Sequence, residues 1–231
     1  MSGVTYAGGM PRVTAAYRER QTDRILQAAE ECFARNGFQA TSMDEVIAAA
    51  GMSSSTVYRY FPEGKRSLIR AVLTRRMGPL VERIKRIAES EEPLDFERDF
   101  IEALTLLNYQ RHGAVADSEV DRQDDALQAP GDVGLSSWAP LAYHAWGELT
   151  RDPEMSVLVQ EGYRDIRGGL IRLCRNGQRV GTISCRLSPD QLASLIQSVS
   201  FGLVVEQLIT GRADVEGAAA TLRQLLAPEG V

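Results

Sequence analysis

The sequence predicts an all-α protein, and three observations predict it. Apolar residues recur at three- and four-residue spacing along most of the 231 residues. Alternating β-branched runs between turn signals are almost absent; only Val180–Ile183 reads as briefly extended, inside a linker. Helix-starting Ser, Thr, Asp and Pro and helix-stopping Gly punctuate the chain at helical intervals. The predicted order is a flexible arm over 1–16, a small three-helix unit over 17–64, and a larger helical domain over 65–231.

Each element has its own reason. A first helix spans 17–36, with Ile25, Leu26, Ala29, Cys32 and Phe33 on one face and Gly37 as a left-handed stop. Thr41 or Ser42 caps a short second helix, whose first turn carries Asp44 and Glu45 at its positive end. Gly51-Met52-Ser53 is a tight turn. A third helix covers 54–60 and ends at Phe61-Pro62, because a residue before proline avoids α geometry.

A fourth helix runs from about Gly64 to Ser90. Gly78-Pro79 is expected to kink or break it, since proline lacks the amide donor and crowds the preceding turn. The fifth covers 94–111 and a weaker acidic helix 117–128; residues 129–137 form a loop. Ser137 is placed to cap a helix over 138–150. Asp152-Pro153 opens one to about Gly177, Ser188-Pro189 another to about Gly211, and a last covers 214–226.

Charge divides the chain. Residues 10–77 hold 11 Lys+Arg against 7 Asp+Glu, whereas residues 78–231 hold 15 against 24, within a net charge of −5. A basic first third on an acidic remainder points the first third toward a polyanion. Three scattered cysteines without a CxxC pair suggest reduced thiols filling core or groove space. The N-terminus lacks the pattern of a secretory signal, and no apolar run approaches the roughly 20 residues of a membrane span. The expected location is the cytoplasm, with no membrane partner. No GxSxG, P-loop or HExxH occurs, so an enzyme reading has no motif beneath it. His112 and His144 are far apart and poorly accompanied for a metal pair. The acids Asp117, Glu119, Asp121, Asp124 and Asp125 read as a solvated face. No cofactor and no metal is expected.

Short helix, glycine turn, second short helix is a helix-turn-helix, whose second helix enters the DNA major groove. Ser53, Ser54, Ser55 and Thr56 allow close approach and offer hydroxyls. Val57 and Phe61 turn inward, leaving Tyr58, Arg59 and Tyr60 toward the outer face. Tyrosine hydroxyls suit phosphate oxygens, and arginine suits guanine or phosphate. Lys65 stands at the start of the fourth helix, where free amides favour an anion. It is one of only two lysines. Thr41 and Ser42 act as caps or present an amide end to phosphate.

The stretch Thr22–Val72, TDRILQAAEECFARNGFQATSMDEVIAAAGMSSSTVYRYFPEGKRSLIRAV, resembles the tetracycline-repressor (TetR) family of bacterial regulators. The "GFQATSMDEVIAAAG" block, the "YRYF" and the following basic residue carry the likeness. FPEGKRSL is one residue longer than the usual spacing, which leaves Gly64 or Lys65 at the phosphate-binding position. The resemblance implies a homodimer on a palindromic double-stranded operator, an N-terminal DNA-binding unit, and a C-terminal domain for ligand and dimerisation.

In that larger domain, Trp138, Tyr143, His144 and Trp146, with Phe100, Leu104, Leu107 and Tyr109, either line an apolar pocket for a small-molecule effector or are plain core. Leu158, Gly162, Ile166, Gly169, Leu170 and Leu173 stripe one helix, and Leu192, Leu195, Ile196, Val199 and Leu203 another. Either stripe suits intramolecular packing; the resemblance implies a four-helix subunit interface. The leading reading is a ligand-released repressor. A regulator without small-molecule input is the alternative, and an enzyme on a helical scaffold stands third.

Overall fold

The computed structural model describes residues 14–90, 94–107 and 135–228. The described residues form helices joined by turns and contain no strand. They are α1 (Ala15–Ala40), α2 (Met43–Ala50), α3 (Ser54–Tyr60), α4 (Lys65–Glu89), α5 (Phe96–Thr105), α6 (Trp138–Gly147), α7 (Pro153–Val180), α8 (Pro189–Thr210) and α9 (Val215–Leu226). Tyr109, His112, the acidic stretch 117–128 and most of the expected loop lie outside the described residues.

The first helix starts earlier than expected. Thr14 caps it, accepting from the Tyr17 amide at 3.2 Å, so residues 15 and 16 belong to α1 and not to an arm. Gly37 does take a positive φ, +80°, but one further helical turn follows before Thr41. A Cβ at Gly37 would come within 3.0 Å of the His144 ring, so glycine here also permits α6 to approach. Ser42, not Thr41, caps α2: its hydroxyl accepts from the Glu45 amide at 3.2 Å and the Glu45 carboxylate accepts from the Ser42 amide at 2.6 Å. Gly51, at φ +59°, closes α2.

Phe33, Phe38, Val46, Val57 and Leu68 are fully enclosed where α1, α2, α3 and the start of α4 meet. α4 then leaves this core and packs along α7. It runs through Gly78-Pro79 without a break. Buried Arg76, Leu80 and Ile84 hold it on both sides of the proline, so packing outweighs the lost amide bond. Pro62-Glu63-Gly64 forms a turn, Gly64 at φ +66° precedes the helix, and Lys65 is its first residue.

Three further expectations change. Ser137 makes no side-chain cap; its hydroxyl accepts from the buried Arg76 at 2.6 Å. α5 and α6 end at Thr105 and Gly147, short of the expected 111 and 150. α7 passes Gly177, which is buried against Ile183, and stops at Gly181, φ +81°; the expected extended stretch is a helix end and a turn.

α8 is apolar on nearly all sides. Its mean hydropathy of 1.6 over an 18-residue window makes it long and apolar enough to cross a membrane by length and composition, contrary to expectation. In this fold it packs against α6, α7 and α9, and only 33% of that window is buried within the chain.

Candidate nucleic-acid interface and interior cavity

The outer face of the helix-turn-helix is built from caps and short side chains. Ser53 caps α3, accepting from the Thr56 amide at 3.3 Å. Its hydroxyl also lies 3.2 Å from that of Ser55 and 2.9 Å from that of Thr56. Ser42, Ser53, Ser54, Ser55, Tyr58 and Arg59 are exposed; Thr56 and Tyr60 are half-buried. Tyr58 is 43% exposed, unusual for an aromatic beside a small core. The Arg59 guanidinium lies over the Tyr60 ring, 5.6 Å from its centre. Val57 faces inward as expected.

Two of the expected contacts also make hydrogen bonds within the chain. Thr41 is buried, and its hydroxyl donates to the carbonyls of Gly37 at 2.8 Å and Cys32 at 3.1 Å. The Lys65 ammonium donates to the carbonyls of Gln39 and Thr41, each at 3.0 Å. It closes the carbonyl end of α1, where a cation is favoured by the helix dipole, and ties α1 to α4.

The spacing of motifs did not reveal Arg24. From α1 its guanidinium reaches over the turn between α2 and α3, 3.4 Å from the Gly51 carbonyl. A Cβ on Gly51 would meet it at 2.7 Å. The only sequence signal was an arginine on the polar face of the first helix.

The joint between head and body is polar and partly buried. Arg76 of α4 is 2% exposed; its Nε lies 3.1 Å from the Glu30 carboxylate of α1, and its Nη2 donates to Ser137 before α6. Nη1 is buried without a hydrogen bond. Burial raises the Glu30 pKa above the usual carboxylate value although Arg76 opposes it. Burial likewise lowers that of Arg76, against the pull of Glu30. Desolvation outweighs attraction in both. Beside this pair, Gln39 donates to Glu148 at 2.8 Å, and His144 packs 6.2 Å from the Phe38 ring. Arg66 and Glu154 make a solvent-exposed pair at 3.0 Å.

A cavity of about 1100 Å³ lies between α4, α5, α6, α7 and α8. Phe100, Leu104, Leu107, Trp138 and Trp146 line it, as expected for a pocket. Tyr143 and His144 do not. They sit on the opposite side of α6, Tyr143 61% exposed and His144 against Gly37, because successive residues of a helix cannot all face one side. The interface stripe divides too. Gly169, Leu170, Leu173, Leu192, Ile196 and Leu203 are buried within the chain, while Leu158, Gly162, Ile166, Leu195 and Val199 are half-buried. Gly169 has a Cβ position only 2.6 Å from Ile84, so it serves the crossing of α7 with α4. The large apolar side chains left uncovered on these helices are Val157, Tyr163, Val180, Val205, Leu208 and Ile209. Cys32 and Cys174 are buried, and burial pushes the Cys174 thiol up to about 12; Cys185 is exposed, unlike the expectation that each fills core or groove space.

Comparison with known proteins covers both parts. Residues 25–72 match the family described as bacterial regulatory proteins, tetR family, and residues 126–229 the BetI-type transcriptional repressor, C-terminal family. The HTH-type transcriptional regulator UidR of Escherichia coli strain K12 is 22% identical over 186 residues, 79% of each chain. Among solved structures, Salmonella enterica GusR superposes with a TM-score of 0.66 at 23% identity, over 92% of this chain and 95% of that one. A complex of SmeT with triclosan gives 0.69 at 16% identity, over 91% and 93%. A regulator from Saccharomonospora viridis holding choline gives 0.62 at 20% identity, over 90% and 95%.

Proposed function

The chain belongs to the TetR family of bacterial transcriptional regulators, and on that premise we propose that it is a homodimeric repressor released from its operator by a small apolar molecule. The observation that carries the DNA half of this reading is the outer face of α3. It presents Tyr58 and Arg59 beside a hydroxyl-lined start, with no carboxylate paired to Arg59 among the described residues. A two-fold dimer sets two such helices on half-sites about one turn apart, roughly 34 Å. The uncovered apolar side chains of α7 and α8 supply the surface for the second copy. The protein then acts on DNA in the bacterial cytoplasm.

The cavity supports the effector reading over a regulator without small-molecule input, for which a fully packed body would be expected. Related folds accommodate triclosan and choline. A hundredfold loss of operator affinity requires about 2.7 kcal/mol of coupling, within the allosteric range. Leu73, Thr74 and Met77 of α4 touch the cavity, Arg76 between them holds α1, and Lys65 holds the end of α1. α4 is continuous through Pro79, so a shift at its cavity end reaches the head along a single helix.

Selection of bound fragments from random DNA tests the reading, followed by Arg59→Ala. The variant is expected to relax preference at one base position at a cost of about 1–3 kcal/mol. Failure to select any sequence above competitor would remove the DNA function; a uniform loss would make Arg59 a backbone contact.

A further inference from the structure

The head hangs from the body by one helix. α1, α2 and α3 precede α4, and α4 carries the chain onward from the head core at Leu68 and Val72 to the body at Leu80 and Ile84. The angle between head and body is therefore set where α4 leaves the head, and that turn has a weak point. Pro79 withholds the amide that would reach the carbonyl of residue 75, and helices bend most readily at such positions. Met77 and Gly78 line the cavity, and a Cβ at Gly78 would meet nothing within 4 Å, so this side of the turn borders open space.

Arg76 stands two residues before Gly78, about 200° around the helix, and reaches the other way. Its guanidinium holds two neighbours at once: Glu30 of α1 in the head at 3.1 Å, and Ser137 ahead of α6 in the body at 2.6 Å. α1 also packs on α6 directly, with His144 against Gly37 and Gln39 donating to Glu148. Arg76 differs from these contacts in joining all three elements. It is 2% exposed, so bulk solvent cannot replace a lost partner. Stability does not account for it. Nη1 is buried without a hydrogen bond among the described residues, and burial outweighs attraction at both Glu30 and Arg76. Apolar side chains of similar size would fill the space at lower cost, but they would slide, whereas a guanidinium fork has preferred directions.

We infer that Arg76 is a positioning residue for DNA binding. By tying Glu30 to Ser137 across α4 it fixes the angle of the head on the body, and with it the spacing at which the two heads of a dimer meet DNA. Leverage makes the angle matter. Lys65, at the head end of α4, lies roughly 16 Å from Arg76 at 1.5 Å per residue. A bend of about 10° carries it about 3 Å, close to the ~3.4 Å rise of one base pair. The spacing rests on the two-fold dimer proposed above; the brace lies within one chain.

Two measurements on the full-length protein test this. The first reads the head–body distance inside one subunit. Spin labels are placed at Ala49→Cys on α2 and Gln224→Cys on α9, both exposed, in a Cys185→Ser background, and the labelled chain is diluted with unlabelled chain. The parent is expected to give one narrow distance distribution by double electron–electron resonance. Ser137→Ala and Glu30→Met/Arg76→Met are each expected to widen it about twofold. The second uses operators selected from random DNA, with the segment between half-sites lengthened or shortened by one base pair. The parent is expected to lose about tenfold or more in affinity, and each variant about threefold or less, with base preference inside the half-site unchanged. A loss of stability alone would move neither the width nor the spacer dependence. A variant that keeps either the parent's narrow distribution or its spacer dependence overturns the proposal, and so does a changed base preference within the half-site. Variants that widen the distribution, on a parent whose selected DNA shows no fixed half-site spacing, sink the dimer reading and leave the brace standing.

Discussion

The head, from α1 to the start of α4, and the body behind it solve opposite packing problems. In the head, Ile25, Phe33, Phe38, Val46, Val57 and Leu68 are fully enclosed, and Thr14, Ser42, Ser53 and Gly51 satisfy or close the helix ends. The exposed face of α3 is hydroxyl, tyrosine and arginine. The body keeps an open cavity of about 1100 Å³ and an apolar α8 that its own chain covers only in part. Duplex DNA is a stiff partner of constant shape, so a preformed surface serves it. A small molecule and a second subunit each need room, and the body leaves room inside and out.

The boundary between these two regions is where the contrast breaks most readily. Arg76→Met alone leaves the Glu30 carboxylate buried without its partner and is expected to cost about 3–5 kcal/mol in chemical denaturation, whereas Glu30→Met/Arg76→Met is expected to recover most of it. The pH dependence has a definite sign. The Glu30 pKa is raised on folding, so its contribution is present below the ordinary carboxylate value and lost as pH rises through the folded one. Subtracting the curve of the double variant from that of the parent is expected to show that loss. Equal destabilisation by single and double variants would mean the pair does not act as a unit.

The next effect concerns the surface the body leaves uncovered. Ile209 is 77% exposed, and Ile209→Glu is expected to weaken self-association by about 2 kcal/mol or more in sedimentation, with the DNA-binding fold intact by circular dichroism. Unchanged association would place the second copy elsewhere. The smallest effect lies in the head. Ser42→Ala is expected to lower stability by about 1 kcal/mol in thermal melts. Glu45 has its pKa lowered, first by the Ser42 amide. Its contribution is therefore present above the ordinary carboxylate value and fades as pH falls through the lowered one. The penalty of Ser42→Ala should shrink in that acid range, and a constant penalty would disconnect cap from carboxylate.

The head was the more legible region because its signals are local. Ser42 to Glu45 is a capping box within four residues, Gly51 a turn, and the residue before Pro62 a stop. What escaped were the long-range partners. Lys65, expected at phosphate, also donates to the end of α1, and Thr41, expected as a possible cap, instead turns its hydroxyl to Cys32 and Gly37. In the body, periodicity marked α7 and α8 as apolar without saying that Ile84 would occupy the groove at Gly169. Tyr143 and His144 were grouped with the tryptophans by adjacency, though a helix turns neighbours to different sides.

Spacing, caps and breakers along the chain determined the helices, their order and a basic helix-turn-helix, because those depend on contacts a few residues apart. Tertiary structure alone decided which cations bond within the chain, which apolar faces stay bare, and which side chains line the cavity. Those depend on distances between segments far apart in sequence, and a one-dimensional pattern does not contain such distances.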